Sequence, residues 1–267
     1  MVDIHHHLLP GLDDGATSLD LSVDMARLAA AEGITHIVCT PHANSQYTFD
    51  SETNSSKLND LRARLSIEEI PLTLGTGCDF HLSYDNVHLA KEDPTRFSIN
   101  GLGYLLVEVP DYGLPPAITE TFYELQLAGL TPILTHPERN PTLQNDLPRL
   151  ADWLRAGVLI QITADSLTGH KGRKAAAAAN KLIEKRWVHF LATDAHNTSS
   201  RPPRMRDAYN YVAERFGEDY AHSLCVTNPL AVFLGQPFVP LEDLQDLYKE
   251  PKQPGLWERV ISLLNAR

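Results

Sequence analysis

The chain carries histidines and carboxylates in spacings that suit metal ligands. His5 and His7 are two residues apart, and so are Asp194 and His196. In an extended segment alternate side chains share a face, so each pair can bind one ion, whereas His6 points the other way. A mixture of imidazole and carboxylate suits manganese, iron or zinc better than calcium or magnesium. The spacing therefore predicts transition-metal chemistry.

The candidate ligands follow predicted β-strands. Short apolar, β-branched runs alternate with segments of helical period, which is the pattern of parallel strands joined by crossover helices. The predicted strands span residues 2–5, 36–40, 72–80, 105–109, 132–135, 158–163 and 188–193. Six of these seven strands carry a candidate ligand at or just beyond the carboxyl end, where barrel enzymes place their active sites.

Nine side chains share this position at a strand end or on the loop after the first strand. They are His5, His7, Asp14, His42, Asp79, Glu108, His136, Asp194 and His196. Nine ligands are too many for one tetrahedral ion, and carboxylates can bridge two ions. We therefore expect two to three divalent metal ions, with manganese first and iron or zinc as alternatives.

Helical segments lie between the strands and would cover the sheet. They are predicted at residues 18–33, 117–128, 147–156, 174–185 and 204–216, with a last helix near residues 257–264. At 267 residues the chain has the length of a single α/β barrel. We expect one domain over residues 1–267, with a helical extension from about residue 217.

Composition excludes several other classes of function. The formal net charge is -11, which would repel a nucleic-acid backbone, and no stretch of about eighteen apolar residues predicts insertion into a membrane. The three cysteines are odd in number and far apart, so no disulfide framework is expected. A reducing compartment fits best, and we expect a cytoplasmic protein.

A cysteine-based phosphatase needs an arginine six positions after its cysteine. The residues six positions beyond Cys39, Cys78 and Cys225 are Ser45, Tyr84 and Ala231. None is an arginine, so the cysteines are interpreted as small core residues.

Six short motifs resemble, in their order along the chain, those of metal-dependent phosphoesterases of the PHP class. They are DIHHH (3–7), LDDG (12–15), CTPH (39–42), GCD (77–79), HPER (136–139) and TDAHN (193–197). The motifs are most similar to those of the bacterial tyrosine-protein phosphatases associated with capsule and exopolysaccharide synthesis. The resemblance spans positions 3 to 204.

The resemblance implies a distorted seven-stranded (β/α) barrel, related to the TIM barrel, with a three-metal centre. The first ion would take His5, His7, Asp79 and Asp194, the second Asp79, Glu108 and His136, and the third Asp14, His42 and His196. The family normally has Glu where this chain has Asp79. We therefore expect an altered spacing of the metals, or the loss of one.

Two arginines near the predicted centre are candidate phosphate ligands. Arg139 follows the fifth strand and Arg201 follows His196. A guanidinium can hold two phosphoryl oxygens at once. In the expected reaction a hydroxide held by two ions attacks phosphorus in line. The resemblance implies a phosphotyrosine protein as substrate, such as the tail of a bacterial tyrosine kinase that controls polysaccharide export.

Other metal hydrolases remain alternatives. A PHP-class phosphatase could act on a small ester such as histidinol phosphate or a nucleotide, and an amidohydrolase shares the first His-x-His pair. Amidohydrolases typically have a lysine where this chain has Glu108, which favours phosphate chemistry. A non-catalytic barrel held together by metals is a further alternative. Preference for an aryl ester would depend on the loops at residues 44–49 and 111–116.

Overall fold

The computed structural model describes residues 1–111, 113–237 and 247. Strands and helices alternate along the described chain, and every strand pair is parallel. The strands are β1 (Val2–His6), β2 (His36–Cys39), β3 (His42–Ala43), β4 (Thr73–Thr76), β5 (Asp79–His81), β6 (Tyr104–Glu108), β7 (Thr131–Thr135), β8 (Leu159–Thr163) and β9 (Phe190–Ala192). The predicted α/β class with parallel strands is confirmed.

The strands form two sheets rather than one closed barrel. One sheet has the order β1-β2-β4 and the other the order β3-β5-β6-β7-β8-β9, and neither sheet is closed. The third predicted strand is divided in two at Gly77-Cys78, and a further short strand, β3, follows the second predicted strand after Thr40-Pro41. Proline has no N–H to donate, so Pro41 cannot continue the hydrogen-bond ladder. The predicted seven-stranded barrel is therefore not confirmed as a continuous sheet.

Ten α-helices occupy the described residues and connect or follow the strands. They are α1 (Leu19–Ala31), α2 (Ser51–Ile67), α3 (Tyr84–Glu92), α4 (Ile118–Leu127), α5 (Leu147–Arg155), α6 (Ala164–Leu167), α7 (Arg173–Glu184), α8 (Arg206–Phe216), α9 (Glu218–His222) and α10 (Asn228–Phe233). A π-helical turn, Ser223–Thr227, joins α9 to α10. The helix expected near residues 257–264 lies outside the described residues.

Helices α2 and α3 were not predicted because their sequences are mostly polar. Along α2 only Leu58, Leu61 and Leu65 form a buried apolar stripe. The helix begins after Asp50, whose side chain accepts a hydrogen bond from the Thr53 N–H, and such a cap stabilises a helix without any apolar signal.

The hydrophobic core lies between the helices and the strands. A second, smaller cluster joins apolar strand residues such as Ile4, Val38 and Phe190 to Val232 and Phe233 of α10. Burial of these strands from both directions holds their carboxyl ends in fixed positions. Among the described residues, no helix combines the length and apolar character that a membrane crossing requires.

Candidate metal centre

All nine predicted ligands meet where the strands end. They fall into four overlapping groups, within each of which one ligand atom per residue lies within 4.8 Å of the others. The groups are His7, Asp14, His42 and His196; His5, Asp79 and His136; His5, His7 and Asp194; and His42, Asp79 and Glu108. Parallel strands present their carboxyl ends to one edge, which explains why distant residues converge.

His5 of β1 and His7, which follows β1, face each other through their Nε2 atoms. The Nδ1 of His5 donates to Gln161 Oε1 (3.0 Å), and the Nδ1 of His7 donates to Asp13 Oδ2 (2.7 Å). Their Nε2 atoms are 3.3 Å apart, and in the neutral rings, whose proton is on Nδ1, Nε2 carries the lone pair. Two ligands that are each about 2.1 Å from one ion lie roughly 3–4 Å apart, so a shared cation fits between these rings.

Two buried carboxylates point at the same rings. Asp79 Oδ2 is 3.4 Å from His5 Nε2, and Asp194 Oδ1 is 3.5 Å from His5 Nε2 and 3.4 Å from His7 Nε2. Asp79 is 1% exposed, and in the described part of the chain neither of its carboxylate oxygens has a hydrogen-bond partner. A buried carboxylate is costly unless a cationic group, such as a protonated imidazole or a bound metal ion, lies beside it.

His42 connects two parts of the centre. Its Nδ1 is 3.1 Å from Asp79 Oδ2 and 3.8 Å from Glu108 Oε2, and its Nε2 is 3.4 Å from Asp14 Oδ1. The resemblance placed His42 with Asp14 and His196 alone. The structure also brings it close to the Asp79 carboxylate (3.1 Å) and the Glu108 carboxylate (3.8 Å).

His136 and His196 belong to different ligand groups. His136 Nε2 is 3.7 Å from Glu108 Oε1, and His196 Nε2 is 3.3 Å from Asp14 Oδ1. Asp14 has the most exposed side chain among these ligands, so solvent reaches the centre on its side.

The charges of the centre depend on one another. Burial lowers the pKa of His5, but the Asp79 and Asp194 carboxylates outweigh it and raise the pKa to about 9. Burial likewise opposes charge on His42, yet Asp14 and Asp79 raise its pKa to about 11. Burial and the Asp79 charge raise the pKa of Glu108 to about 7. Protons on the imidazoles thus balance the carboxylates, and bound cations would replace them.

Both predicted phosphate ligands meet at one carboxylate oxygen. Arg139 and Arg201 each donate to Asp194 Oδ2, Arg201 through Nη2 at 2.6 Å. Their side chains are 29% and 26% exposed. Asp194 thus faces the histidines with Oδ1 and the two guanidiniums with Oδ2.

Backbone strain occurs at two of the predicted ligands. His136 has φ 35° and Asp194 has φ 52°, in the left-handed region that non-glycine residues rarely adopt. The Asp194 N–H donates to His5 O (2.9 Å), and the His136 N–H donates to Gln161 O (2.8 Å). Such strain persists only where the surroundings hold it, and it is common at functional sites.

Three supporting residues were not identified from the sequence. Asp13 accepts from His7 and from the backbone N–H groups of His42 (3.0 Å) and Gly15 (2.9 Å). A side chain at Gly15 would collide with His7, so this turn packs tightly against the ligand. Gln161 orients His5. The available signals were the second aspartate beside Asp14 and a lone polar residue inside the apolar strand β8.

A fourth supporting residue holds the turn that carries Arg139. Glu138 is fully buried, and its Oε1 accepts from the Thr163 N–H (3.0 Å) and from Ser166 Oγ (2.7 Å). These bonds tie the turn after β7 to the end of β8, which places Arg139 at the rim of the centre.

The cysteines and His6 take no part in these groups. Cys39, Cys78 and Cys225 are free and buried, which confirms their interpretation as core residues, and burial raises the pKa of Cys39 to about 12. His6 is buried and joins none of the four ligand groups.

Comparisons with known proteins agree with this geometry. The chain is 36% identical to the CapC protein of Staphylococcus aureus over 211 residues, which are 79% of this chain and 82% of that protein. It is 32% identical to the tyrosine-protein phosphatase YwqE of Bacillus subtilis over 255 residues, or 95% and 96% of the two chains.

A solved structure is similar to this chain over most of its length. One chain from the crystal structures of YwqE from Bacillus subtilis and CpsB from Streptococcus pneumoniae, described as unique metal-dependent tyrosine phosphatases, superposes with a TM-score of 0.85 at 32% identity. The match covers 91% of this chain and 100% of the other. A family model described as "Capsular polysaccharide synthesis, CpsB/CapC" matches residues 1–234. The chain therefore belongs to the CpsB/CapC family.

Proposed function

We propose that this chain is a metal-dependent tyrosine-protein phosphatase. The observation that carries the proposal is the convergence of nine imidazole and carboxylate ligands beside two arginines that share Asp194 Oδ2. Relatives and a solved structure that bear the same name support the choice of substrate class.

The proposed cofactors are two to three divalent ions, with manganese as the first choice. The donor set supports several ions, because the four ligand groups share His5, His7, His42 and Asp79. Mixed imidazole and carboxylate donors support manganese, with iron or zinc as alternatives. When bound, such ions lower the pKa of water so that it attacks phosphorus at neutral pH, and they neutralise phosphoryl oxygens.

The protein side chains bind and orient the substrate. Each guanidinium has five N–H donors, and contact with Asp194 Oδ2 leaves donors of Arg139 and Arg201 free for phosphoryl oxygens. Asp13 and Gln161 hold His7 and His5 in the tautomer that presents Nε2 to the centre. The partly exposed arginines and Asp14 mark the side from which an ester would enter.

We propose further that the two sheets together make a distorted seven-stranded barrel within one domain. If β3 is taken with β2 and β5 with β4, the parallel pairings run through seven strands. The ring would close through the His5 O to Asp194 N–H bond and the His7 N–H to Ala195 O bond, each 2.9 Å. Pro41 accounts for the interruption of the second strand.

The natural substrate in this proposal is a phosphorylated tyrosine on a protein, and a kinase of polysaccharide synthesis is the predicted partner. The family description, capsular polysaccharide synthesis, supports that assignment. A ring of Tyr47 stacked over His42, at 6.0 Å between centroids and 12° between planes, supports an aryl-binding surface beside the metals. The cytoplasmic location stays a prediction.

The deciding experiment measures phosphate release by metal-stripped protein resupplied with manganese, iron or zinc. The substrates are a phosphotyrosine peptide, a phosphoserine peptide, histidinol phosphate and a nucleoside monophosphate. We expect metal-dependent turnover led by the phosphotyrosine peptide, and a loss of at least about 100-fold in His136→Ala. The matched control is His88→Ala, which removes an exposed histidine of α3.

Each outcome has a defined meaning. Turnover led by histidinol phosphate or the nucleotide would keep the metal chemistry and replace the substrate. No release with any metal, from a protein whose metal content and fold are verified, would refute the catalytic proposal.

A further inference from the structure

A basic cavity lies beside Arg139. It has a volume of 410 Å³, within the usual range for small ligand sites, and four cationic side chains line it: Arg139, Lys171, Arg173 and Lys174. Gln144 adds a polar group, and among the residues that the structure describes no acidic side chain lines the cavity. A concentration of positive charge in a chain of net charge -11 requires an explanation.

Three of the four cations of this cavity form no ion pair with a described carboxylate, whereas Arg139 pairs with Asp194. In the part of the chain that the structure describes, no ion pair involves Lys171, Arg173 or Lys174. Nearby basic residues behave differently, since Arg204 pairs with the buried Asp165 at 3.3 Å and Arg149 pairs with Asp146 at 2.9 Å.

The pKa of Lys171 reflects the other cationic side chains nearby. Burial lowers the pKa of its ammonium group, and Arg139 and Arg201 lower it further, while Asp194 and Asp165 compensate in part. A half-buried cation among other cations is unfavourable, and an anion bound in the cavity would relieve this repulsion.

The cavity is continuous with the proposed phosphate site through a single residue. Arg139 donates to Asp194 Oδ2 on one side and lines the basic cavity on the other. An anion in the cavity therefore lies one side chain away from the reacting phosphoryl group. An extended peptide advances roughly 3.3–3.6 Å per residue, so a group one to three residues from the phosphotyrosine would reach it.

We infer that the cavity formed by Arg139, Lys171, Arg173 and Lys174 is a second anion subsite, which binds a carboxylate or phosphate on the peptide that carries the phosphotyrosine. This inference rests on the proposed function and adds a substrate preference to it. The substrate class is an acidic or multiply phosphorylated peptide. A long nucleic acid does not fit, because the negative field of the remaining chain repels it.

The test compares phosphotyrosine peptides that differ at one position. Glu, Gln or a second phosphotyrosine is placed one to three residues before or after the reacting phosphotyrosine. We expect Glu to raise kcat/KM over Gln by about threefold to tenfold at the best position, chiefly through KM, and a second phosphate to raise it more. The preference should shrink at high salt, since exposed ion pairs are screened.

Variants of the lysines assign the preference to the cavity. Lys171→Ala and Lys174→Ala should each reduce the Glu-over-Gln ratio, and Lys174→Glu should favour a peptide with Lys at that position. Lys181→Ala is the matched control, because Lys181 is an exposed lysine in the last turn of the same helix α7. It should leave the ratio unchanged.

Binding gives a second readout that is independent of turnover. Calorimetry with peptides carrying a non-hydrolysable phosphonate in place of the phosphate should show the same preference in the metal-loaded and the metal-stripped protein. Equal affinity for the Glu, Gln and bis-anionic peptides would overturn the subsite even if phosphotyrosine is hydrolysed. Conversely, absence of hydrolysis together with a lysine-dependent preference in binding would refute the proposed function and keep the subsite.

Discussion

Replacement of Asp13 by asparagine tests whether a residue outside the ligand set controls the metal centre. The Asp13 side chain is 1% exposed and accepts three hydrogen bonds, from His7 Nδ1 and from the N–H groups of His42 and Gly15. Asparagine keeps one oxygen, which can still accept from Gly15. Its amide nitrogen then faces two donors, and both of those bonds are lost.

The loss acts on metal binding through the His7 tautomer. An amide N–H beside Nδ1 favours the ring that carries its proton on Nε2, and that nitrogen can no longer bind a cation. Loss of such a supporting carboxylate typically weakens metal affinity about 10- to 100-fold, or about 1.4–2.7 kcal/mol. The orphaned His42 N–H adds a cost of about 1–3 kcal/mol to folding.

Titration of metal-stripped protein with manganese against a fluorescent chelator measures this affinity, and thermal unfolding measures the stability. Asp24→Asn is the control, because it makes the same charge change at an exposed position of α1. If Asp13→Asn binds manganese as tightly as Asp24→Asn and turns over an aryl phosphate equally fast, Asp13 does not set the orientation of His7 and the reasoning is wrong.

Three other predictions concern the protonation of His5 and His42, the reactivity of the cysteines and the length of the Asp79 side chain. In the folded protein the pKa of His5 is about 9 and that of His42 is about 11, both above the ordinary value, so protonation of these rings stabilises the metal-free protein below about pH 6.5 and this stability is lost as pH rises through those values. The melting temperature of the metal-free protein should therefore fall between pH 6.5 and 9. Manganese affinity should rise over the same range, because fewer protons must be displaced. N-ethylmaleimide should leave turnover within about twofold, because Cys39, Cys78 and Cys225 are buried, whereas rapid inactivation of folded protein would revive a thiolate mechanism. Asp79→Glu should lower the melting temperature and fail to raise kcat. The reason is that Asp79 Oδ2 already lies 3.1 Å from His42 Nδ1, and an added methylene in a packed core costs about 1–3 kcal/mol. A gain in turnover would show that the centre is built for the longer side chain.

The positions of the ligands were predictable because they follow from strand geometry. Side chains alternate along a strand and parallel strands end at one edge, so His5, His136 and Asp194 had to approach one another once the strands were identified. The way in which the nine ligands divide into groups was not predictable from the sequence. Whether His42 lies nearer to Asp14 or to Glu108 depends on ring rotations and on the break at Pro41, which spacing in a sequence does not encode.

Interactions between segments that are far apart in the chain could not be predicted from the sequence either. Asp13 stands beside Asp14, yet only the folded turn shows that one carboxylate supports His7 while the other faces His42. Lys174 was assigned only to the beginning of a helix, and Lys171 was not assigned to any element. Their part in a basic cavity depends on the approach of Arg139 from the turn after β7, which Glu138 determines by binding the end of β8.

In the proposed function, Asp194 links the metal centre to the two arginines that would bind phosphate. Its Oδ1 lies among the imidazoles of β1 and its Oδ2 accepts from both Arg139 and Arg201, so one carboxylate is divided between two functions. The strained φ of 52° turns it toward both partners, and its N–H bond to His5 holds it there. Cations at the imidazoles would draw charge from the carboxylate and loosen its hold on the arginines. The guanidiniums would then be freer to bind a phosphoryl group, and we expect phosphate binding to depend on metal loading.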